Sequence, residues 1–354
     1  MDKNNIYIFG SHSRAQTLAV YLKYLQPDIK ILAFLYDNDE KNPDSVNGAP
    51  VLKIVDGMKF NTECTVYIGT RGIYHKDISE QLRGFGFTDI RPVTVEFDLE
   101  IRNRYLNKYY GSIGRGFDKV NDCIPKSAKI YVANSINDKP LLESYKLKPY
   151  EETIQVGSAM TCDRLYEGVV TDDTGDNISK LNRQFCELTA MYWIWKNATE
   201  DIEGLVHYRR HFILPDDWVE RMYSNNVDVI LPVPLYVAPS IAGNFNKRHD
   251  PSNWWYLMEY WEHEDYEECQ QAKVFFEGNL YSPCNMFIMR REVLNDLCQW
   301  MFPKLFAIAG HGGINEDAYQ NRYPGFISER LITFFFDKNR VKYKVVYADK
   351  NFLE

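Results

Sequence analysis

DDTGDNISKLNRQFCELTAMYWIWKN, Asp172 to Asn197, followed closely by GLVHYRR, Gly204 to Arg210, is the part of the chain that decides its fold class. Ile178, Leu181, Phe185, Leu188, Tyr192 and Trp195 recur every three to four residues, the spacing of one buried helical face. This predicts a long helix after the acidic loop, with Asn177 or Ser179 accepting its first amides. Gly204 to Val206 reads as a short strand, so HYRR emerges at the strand's C-terminal end. In an extended segment His207 and Arg209 point to one side and Arg210 to the other. Acids, amides, a histidine and two arginines then surround one cleft, a grouping that suits an anionic, hydroxyl-rich ligand.

The same alternation continues on both sides. Upstream, Lys129 to Ala133 is a strand, and PYEETIQVGSAM places Gln155 and Gly157 either at a tight backbone approach or in a surface turn. Downstream, VDVIL (Val227 to Leu231) and NMFIMR (Asn285 to Arg290) read as strands, Asn253 to Glu277 as one long helix, and Arg291 to Phe306 as another. Strands alternating with helices predict a layered α/β domain over residues 128–354. Residues 101–127 read as a helical, then glycine-rich, linker. Residues 1–100 form a smaller α/β unit: a strand (Ile6 to Phe9), the GSHSR turn, a helix (Ala15 to Tyr24), and a strand (Ile29 to Tyr36) ending at Asp37. That order resembles the Rossmann-like way in which an open parallel sheet gathers a nucleotide. Gly10, Ser11 and Ser13 could face a phosphate and Asp37 a ribose hydroxyl, but GSHSR lacks the three-glycine fingerprint, so a structural or partner-binding unit fits equally.

Composition narrows the setting. At 354 residues the cores need no staples, and seven scattered cysteines without a CxxC pair fit a reducing cytoplasm. The net charge of -8 argues against broad nucleic-acid binding. The start MDKNNIYIFG lacks a signal peptide's basic and apolar blocks, and no apolar run is long enough to span a bilayer, which predicts a soluble protein or one peripheral to a membrane. Aromatic residues, 15% of the chain, serve either core packing or sugar stacking.

Several groups are candidates for chemistry. Asp172, Asp173 and Asp176 either orient substrate hydroxyls, with Asp173 and Asp176 the candidate metal ligands, or simply cap a turn. His207, Arg209 and Arg210 suit a diphosphate, since guanidinium forks match paired phosphate oxygens. Asn244, Lys247, Arg248 and His249 form either an acceptor loop or a mobile polar surface. Trp254 and Trp255 either stack on a sugar or anchor a helix, and Asn285 satisfies a loop or binds a hydroxyl. Glu329, read as lying at a helix start, is the first candidate base for an acceptor hydroxyl, with Asp317 second.

The ordered series IQVGSAM, DDTGDNIS, FCELTAMYWIWKN, GLVHYRR, CNMFIMRREV and GFISERL resembles bacterial glycosyltransferases of the DUF4422 type, over roughly Lys129 to Lys350. The resemblance implies a GT-A-like fold, a UDP-sugar donor, a hexose as the transferred group (galactofuranose in some members), and an oligosaccharide or polyprenyl-linked surface or capsular glycan as acceptor. It implies no nucleic-acid partner, and contact with the cytoplasmic membrane face or with polysaccharide-assembly proteins. Many GT-A enzymes carry an Asp-x-Asp metal motif where this chain has His207-Tyr208-Arg209, so both a Mn2+ or Mg2+ requirement and metal-independent transfer stay open. Direct inverting transfer is the expected course. A sugar-phosphate transferase and a noncatalytic glycan-binding scaffold are the alternatives.

Overall fold

The computed structural model describes residues 4–39, 42–110, 117–118, 120–121, 126–142 and 145–353. The chain divides into two compact units, Met1–Gly114 and Arg115–Glu354. The whole GSIGRG stretch and Cys123 lie outside the described residues, as does the side chain of Ser13.

The first unit contains β1 (Asn5–Phe9), α1 (Ser13–Leu25), β2 (Lys30–Tyr36), β3 (Ser45–Val46), β4 (Ala49–Lys53), β5 (Thr65–Ile68), α2 (His75–Gly84), β6 (Ile90–Pro92) and α3 (Val95–Tyr110). The sheet order is β3-β4-β2-β1-β5-β6, parallel throughout except for the β3–β4 pair. Asn47 and Gly48, both at positive φ, make the tight turn between those two strands, a device that Asn-Gly supplies well. The chain leaves β1 toward β2 on one side and returns to β5 on the other. At that reversal Gly69 lies against α1: a Cβ there would stand 2.9 Å from Ala15 Cα, so only glycine lets the helix start sit on the sheet end.

The second unit contains β7 (Ala128–Asn134), β8 (Glu151–Gln155), β9 (Val170–Thr171), α4 (Asn182–Phe185), α5 (Leu188–Asn197), β10 (Ile202–His207), α6 (Trp218–Ser224), β11 (Val229–Pro232), β12 (Leu235–Tyr236), α7 (Ile241–Arg248), α8 (Pro251–Glu264), α9 (Tyr266–Phe276), β13 (Leu280–Tyr281), β14 (Phe287–Arg290), α10 (Arg291–Gly312), α11 (Tyr323–Lys338) and β15 (Val345–Ala348). Its main sheet runs β15-β11-β14-β10-β7-β8-β9. Only β14 is antiparallel to its neighbours. Alternate residues feed two cores: Tyr131, Leu205, Leu231 and Phe287 face one, and Ile130, Val206, Ile230 and Ile288 the other. Both faces are covered, which is why these strands are apolar throughout rather than alternating. The C-terminal ends of β7, β8 and β10 and the N-terminal end of β14 therefore share one edge of the sheet.

Three expectations need correction. The helix after DDTGDN is not continuous: Ser179–Leu181 is a 3-10 turn, α4 lasts one turn, and the chain breaks at Cys186 (φ 48°) before α5 begins. The break is held by Asn182 Nδ2, which donates to the Cys186 carbonyl at 2.8 Å, with Thr189 Oγ1 3.0 Å from the same carbonyl. The segment expected as one helix from Asn253 is two, because Asp265 turns extended and its carboxylate caps α9 through the Glu268 amide. Glu329 is not at a helix start, since α11 begins at Tyr323 with Pro324 in its first turn.

Candidate functional site

HYRR is a tight turn rather than an extended strand end. The His207 amide donates to the Arg210 carbonyl and the Arg210 amide to the His207 carbonyl, so the chain reverses at Tyr208-Arg209. This overturns the expected facing: His207 and Arg210 are opposite each other, with Tyr208 and Arg209 at the turn. Arg209 donates to Tyr208 Oη at 2.7 Å and to the Lys139 carbonyl at 3.2 Å. The Arg210 guanidinium stands 5.3 Å from the Phe352 ring. The turn is anchored from beneath by a buried pair that the sequence reading did not single out, His211 Nδ1 and Glu151 Oε1 at 2.7 Å. Tyr145 stacks on His211 and donates to Glu151 at 3.1 Å. Burial alone would raise the Glu151 carboxyl, but the hydrogen bonds from His211 and the Lys148 amide outweigh it and hold it below the ordinary value.

Around His207 the structure gathers Glu187, Cys284, Asn285 and Glu329. The imidazole Nε2 donates to the Cys284 carbonyl at 2.6 Å, which fixes the tautomer, and lies 3.8 Å from Glu187 Oε1. Burial lowers the His207 pKa; the Glu187 charge opposes this, whereas Arg210 and Arg322 reinforce it, so the ring is neutral near pH 7. Glu187 Oε1 also accepts from Asn285 Nδ2 at 2.8 Å. Glu329 accepts the Cys284 amide at 2.5 Å and pairs with Arg330 at 3.2 Å. Burial raises its carboxyl above the usual range, against the pull of Arg330 and the Cys284 amide. Asp138, in the loop after β7, is likewise raised by burial, although the Ser135 amide and the charges of His207, Arg209 and Arg322 act the other way.

Cys186, Cys284 and Asn285 all have positive φ (48°, 78° and 49°), a conformation costing on the order of 1–3 kcal/mol for such residues. All three adjoin the Glu187–His207 contact. Arg322 completes the group, with Nε donating to Cys186 Sγ at 3.0 Å and its guanidinium over Phe326. Among the described residues, no carboxylate lies within salt-bridge distance of Arg209, Arg210 or Arg322. Three cations without ion-pair partners among the described residues thus share one edge with two partly buried carboxylates, a setting able to hold a polyanion beside a proton acceptor. A cavity of about 330 Å³, lined by Asn134, Asp138, Leu141, Tyr145 and Tyr208, opens on the same edge and is large enough for one nucleoside-sized group.

The acidic loop is not part of this group. Asp172 is wholly buried and accepts four hydrogen bonds, from the Gly157 and Ser158 amides and from Ser179 and Thr189. Gln155 is fully buried, joined to the Asp163 carbonyl and the Leu165 amide. Gly157 turns the chain at φ 70°, where a Cβ would stand 2.8 Å from Asn182 Oδ1. Asn177 closes the loop on the Asp173 and Gly175 carbonyls and the Ser179 amide. Asp173 meets Arg164 at 3.6 Å and Asp176 accepts from Tyr192. Among the described residues none of these carboxylates touches His207, Arg209 or Arg210, which corrects the expectation of one shared cleft. Asp173 and Asp176, engaged by different partners, do not fit a metal-ligand pair, and no three His, Cys, Asp or Glu side chains among the described residues converge as metal ligands.

The acceptor candidates divide. Asn244 reaches Arg330 Nη2 at 3.5 Å, so it sits beside Glu329. Asn244, Lys247 and Arg248 belong to α7 rather than to a loop, with Lys247 and Arg248 exposed. His249 is buried, stacked 4.1 Å from Phe326, and burial with the Arg330 and Arg248 charges lowers its pKa to about 4. Trp254 is core, whereas Trp255 is 64% exposed. The Asn285 amide is committed to Glu187, Gly325 and Ser328, so it positions Glu187 and offers nothing to a sugar. Asp317 caps its own turn through the Tyr319 and Gln320 amides. In the first unit Gly10, Ser11 and Asp37 line a cavity of about 1050 Å³.

Glu187, Asp138 and Arg322 are site residues that the motifs did not indicate, and Glu187 is the carboxylate nearest His207. Its one signal is a charged side chain inside FCELTAMYWIWKN, on a stretch otherwise read as a buried helix.

No helix among the described residues is long and apolar enough to cross a membrane. No curated protein matches the chain. Among solved structures it is similar to the apo form of the bifunctional glycosyltransferase WbbM, at 26% identity and a TM-score of 0.56 over 64% of this chain. The match spans 45% of the WbbM chain, less than half its length. The family model for DUF4422, a domain of unknown function, matches residues 129–340, more than half of the sequence, so this chain belongs to the DUF4422 family.

Proposed function

We propose that the protein is a glycosyltransferase moving a hexose from a UDP-sugar to a hydroxyl of a lipid-linked surface or capsular glycan, with galactofuranose one candidate sugar. In this reading residues 115–354 are a GT-A-like catalytic domain, and residues 1–114 a Rossmann-like accessory domain. The observation that carries it is the set of arginines without carboxylate partners among the described residues, Arg209, Arg210 and Arg322, at the sheet edge where β7 and β10 end and where Glu329 and Glu187 lie. The similarity to WbbM supports the same chemistry.

Arg210 and Arg209 hold the donor diphosphate and offset the charge that develops as UDP departs. The nucleoside enters the cavity beside Tyr208 and Asp138. Glu329, whose pKa burial raises above the ordinary carboxylate value, takes the acceptor proton as the acceptor oxygen attacks the anomeric carbon, giving inversion by a single displacement. Asn285 holds Glu187 in the same edge, beside His207, where it orients sugar hydroxyls. No step is assigned to a metal. Asn244 and the exposed Trp255 are left to face the acceptor, and the enzyme works at the cytoplasmic face of the membrane.

A screen of UDP-hexoses, including UDP-galactofuranose, against glycan acceptors tests this directly, with and without EDTA. The expected result is UDP release matched by acceptor mass gain. UMP release with phosphate retained in the product, or no product with any UDP-hexose, overturns it.

A further inference from the structure

Residues 349–353 run antiparallel to the chain that leaves the HYRR turn. The Ile213 amide donates to the Asp349 carbonyl at 2.8 Å, the Asn351 amide to the His211 carbonyl at 3.0 Å, and the Leu353 amide to the Arg209 carbonyl at 2.8 Å. The His211 amide adds a bond to Asn351 Oδ1, also at 2.8 Å. Arg210 itself bonds His207, so its backbone is held within the turn while both of its neighbours are held by this strap.

The register decides which side chains meet. Residues 209, 211 and 213 make the backbone bonds, which leaves Phe212 facing Lys350 and Arg210 facing Phe352 in the intervening pairs. Side chains of an antiparallel ladder come closest at such pairs. The Arg210 guanidinium accordingly stands 5.3 Å from the Phe352 ring. Lys350, two residues away, falls on the same side of the strap. That side meets the carboxylate edge: the Arg210 charge acts on His207, Cys284 and Glu329, and the Lys350 charge acts on Cys284. Phe352 is 58% exposed, so its ring adds little to the core. A ring beside a guanidinium steadies it without cancelling its charge, as a carboxylate there would. Arg210 is therefore held in place and left able to pair with a ligand anion.

We propose that residues 349–353 are a working part of the diphosphate site, in which Phe352 is a positioning residue for Arg210 and Lys350 is a further cation facing the same ligand. This inference rests on the assignment of Arg209 and Arg210 to a donor diphosphate, and it extends that site to a segment none of the motifs reaches.

Calorimetric titration of the full chain with UDP and with inorganic pyrophosphate reads the site without turnover. The parent chain binds both, and Arg210→Ala weakens both tenfold or more. Lys350→Gln weakens UDP and pyrophosphate alike by about tenfold and makes binding less sensitive to salt. Phe352→Leu weakens both about threefold, the size expected of an exposed cation–π contact, and leaves Tm unchanged; Phe352→Tyr, which keeps the ring, restores the parent affinity. Parent-like affinity in Lys350→Gln or in Phe352→Leu, while Arg210→Ala is weakened, overturns the role of that residue and leaves the arginine site standing. A loss in Phe352→Leu that Phe352→Tyr does not restore, or that comes with a lowered Tm, makes the strap a structural brace and overturns the positioning role. A parent chain that binds neither probe overturns the arginine site and this inference with it.

Discussion

Asp172 separates a structural acid from a ligand-binding one, because the sequence motif gives it either role and the structure gives it four internal donors. Oδ1 accepts from the Ser158 amide at 3.0 Å and Ser179 Oγ at 2.5 Å; Oδ2 accepts from the Gly157 amide at 2.9 Å and Thr189 Oγ1 at 2.6 Å. In Asp172→Asn one oxygen becomes an NH2 group. Of the two donors facing it, a hydroxyl can rotate and accept, but a backbone amide cannot. Losing charge-assisted bonds of about 1.5–3 kcal/mol each, and leaving one amide unmatched, makes a cost of about 3 kcal/mol reasonable. For a unit of this size that lowers Tm by about 6–12 °C. Asp172→Ala strips all four donors and costs more, about 5 kcal/mol. Thermal and urea unfolding measure both, alongside donor KM on the folded protein at a temperature where each variant is native. A variant with wild-type Tm and a tenfold weaker donor KM would refute the structural role and return Asp172 to the ligand.

Glu329→Gln should lower kcat by about 10²–10⁴ with little change in donor KM, and should abolish the acid limb of the pH–rate profile. That limb lies above the ordinary carboxylate value because burial raises Glu329, so activity is lost as pH falls through it. Arg210→Ala should cost about 10²-fold or more in kcat/KM, and Arg210→Lys should recover only part, since a point charge cannot fork across two phosphate oxygens; equal activity in both variants removes Arg210 from the diphosphate site. Glu203, the second residue of β10, with Oε2 unmatched among the described residues, has its pKa raised to about 7 by burial, against the pull of Arg291. A raised acid stabilises the fold fully below its unfolded value near 4.3, and this contribution is lost as pH rises through about 7. Glu203→Gln should therefore flatten the fall in urea midpoint between pH 5 and pH 8, and an unchanged slope would show that Glu203 is ionised throughout.

The fold was legible where apolar runs are unambiguous. KIYVA, GLV, VDVIL and MFIMR became strands because both sheet faces are covered, which removes the competing reading of a half-exposed strand. Helix boundaries were not legible, because local hydrogen bonds cut the periodicity. The pattern from Ile178 to Trp195 is continuous in sequence, yet Asn182 holds the Cys186 carbonyl, and Asp172 draws in Ser179 and Thr189. The turn at Asn47-Gly48 carried a readable signal that was passed over, with strands short enough to look like loop.

The site was legible in His207, Arg209, Arg210 and Glu329 and misread in the acids of DDTGDN, for one physical reason. A strand end fixes where HYRR emerges, so His207 and Arg210 follow from the sheet alone, although the tight turn exchanges the expected partners. An acid in a loop is free to turn either way, and its own neighbours decide. In DDTGDN every carboxylate finds a partner within its loop or on an adjacent element, which leaves none for a ligand. Glu187 is directed by two distant constraints: the left-handed break at Cys186, and Asn285 delivered by the antiparallel β14. Neither is a spacing that a linear motif can encode. The same constraints explain why three strained residues persist beside His207: relaxing Cys186 would swing Glu187 off Asn285, and relaxing Cys284 or Asn285 would break the contacts to His207 and Glu329. The strain is thus the local cost of carrying two carboxylates to an edge otherwise populated by arginines, and it marks Glu187 and Glu329 as parts of one arrangement.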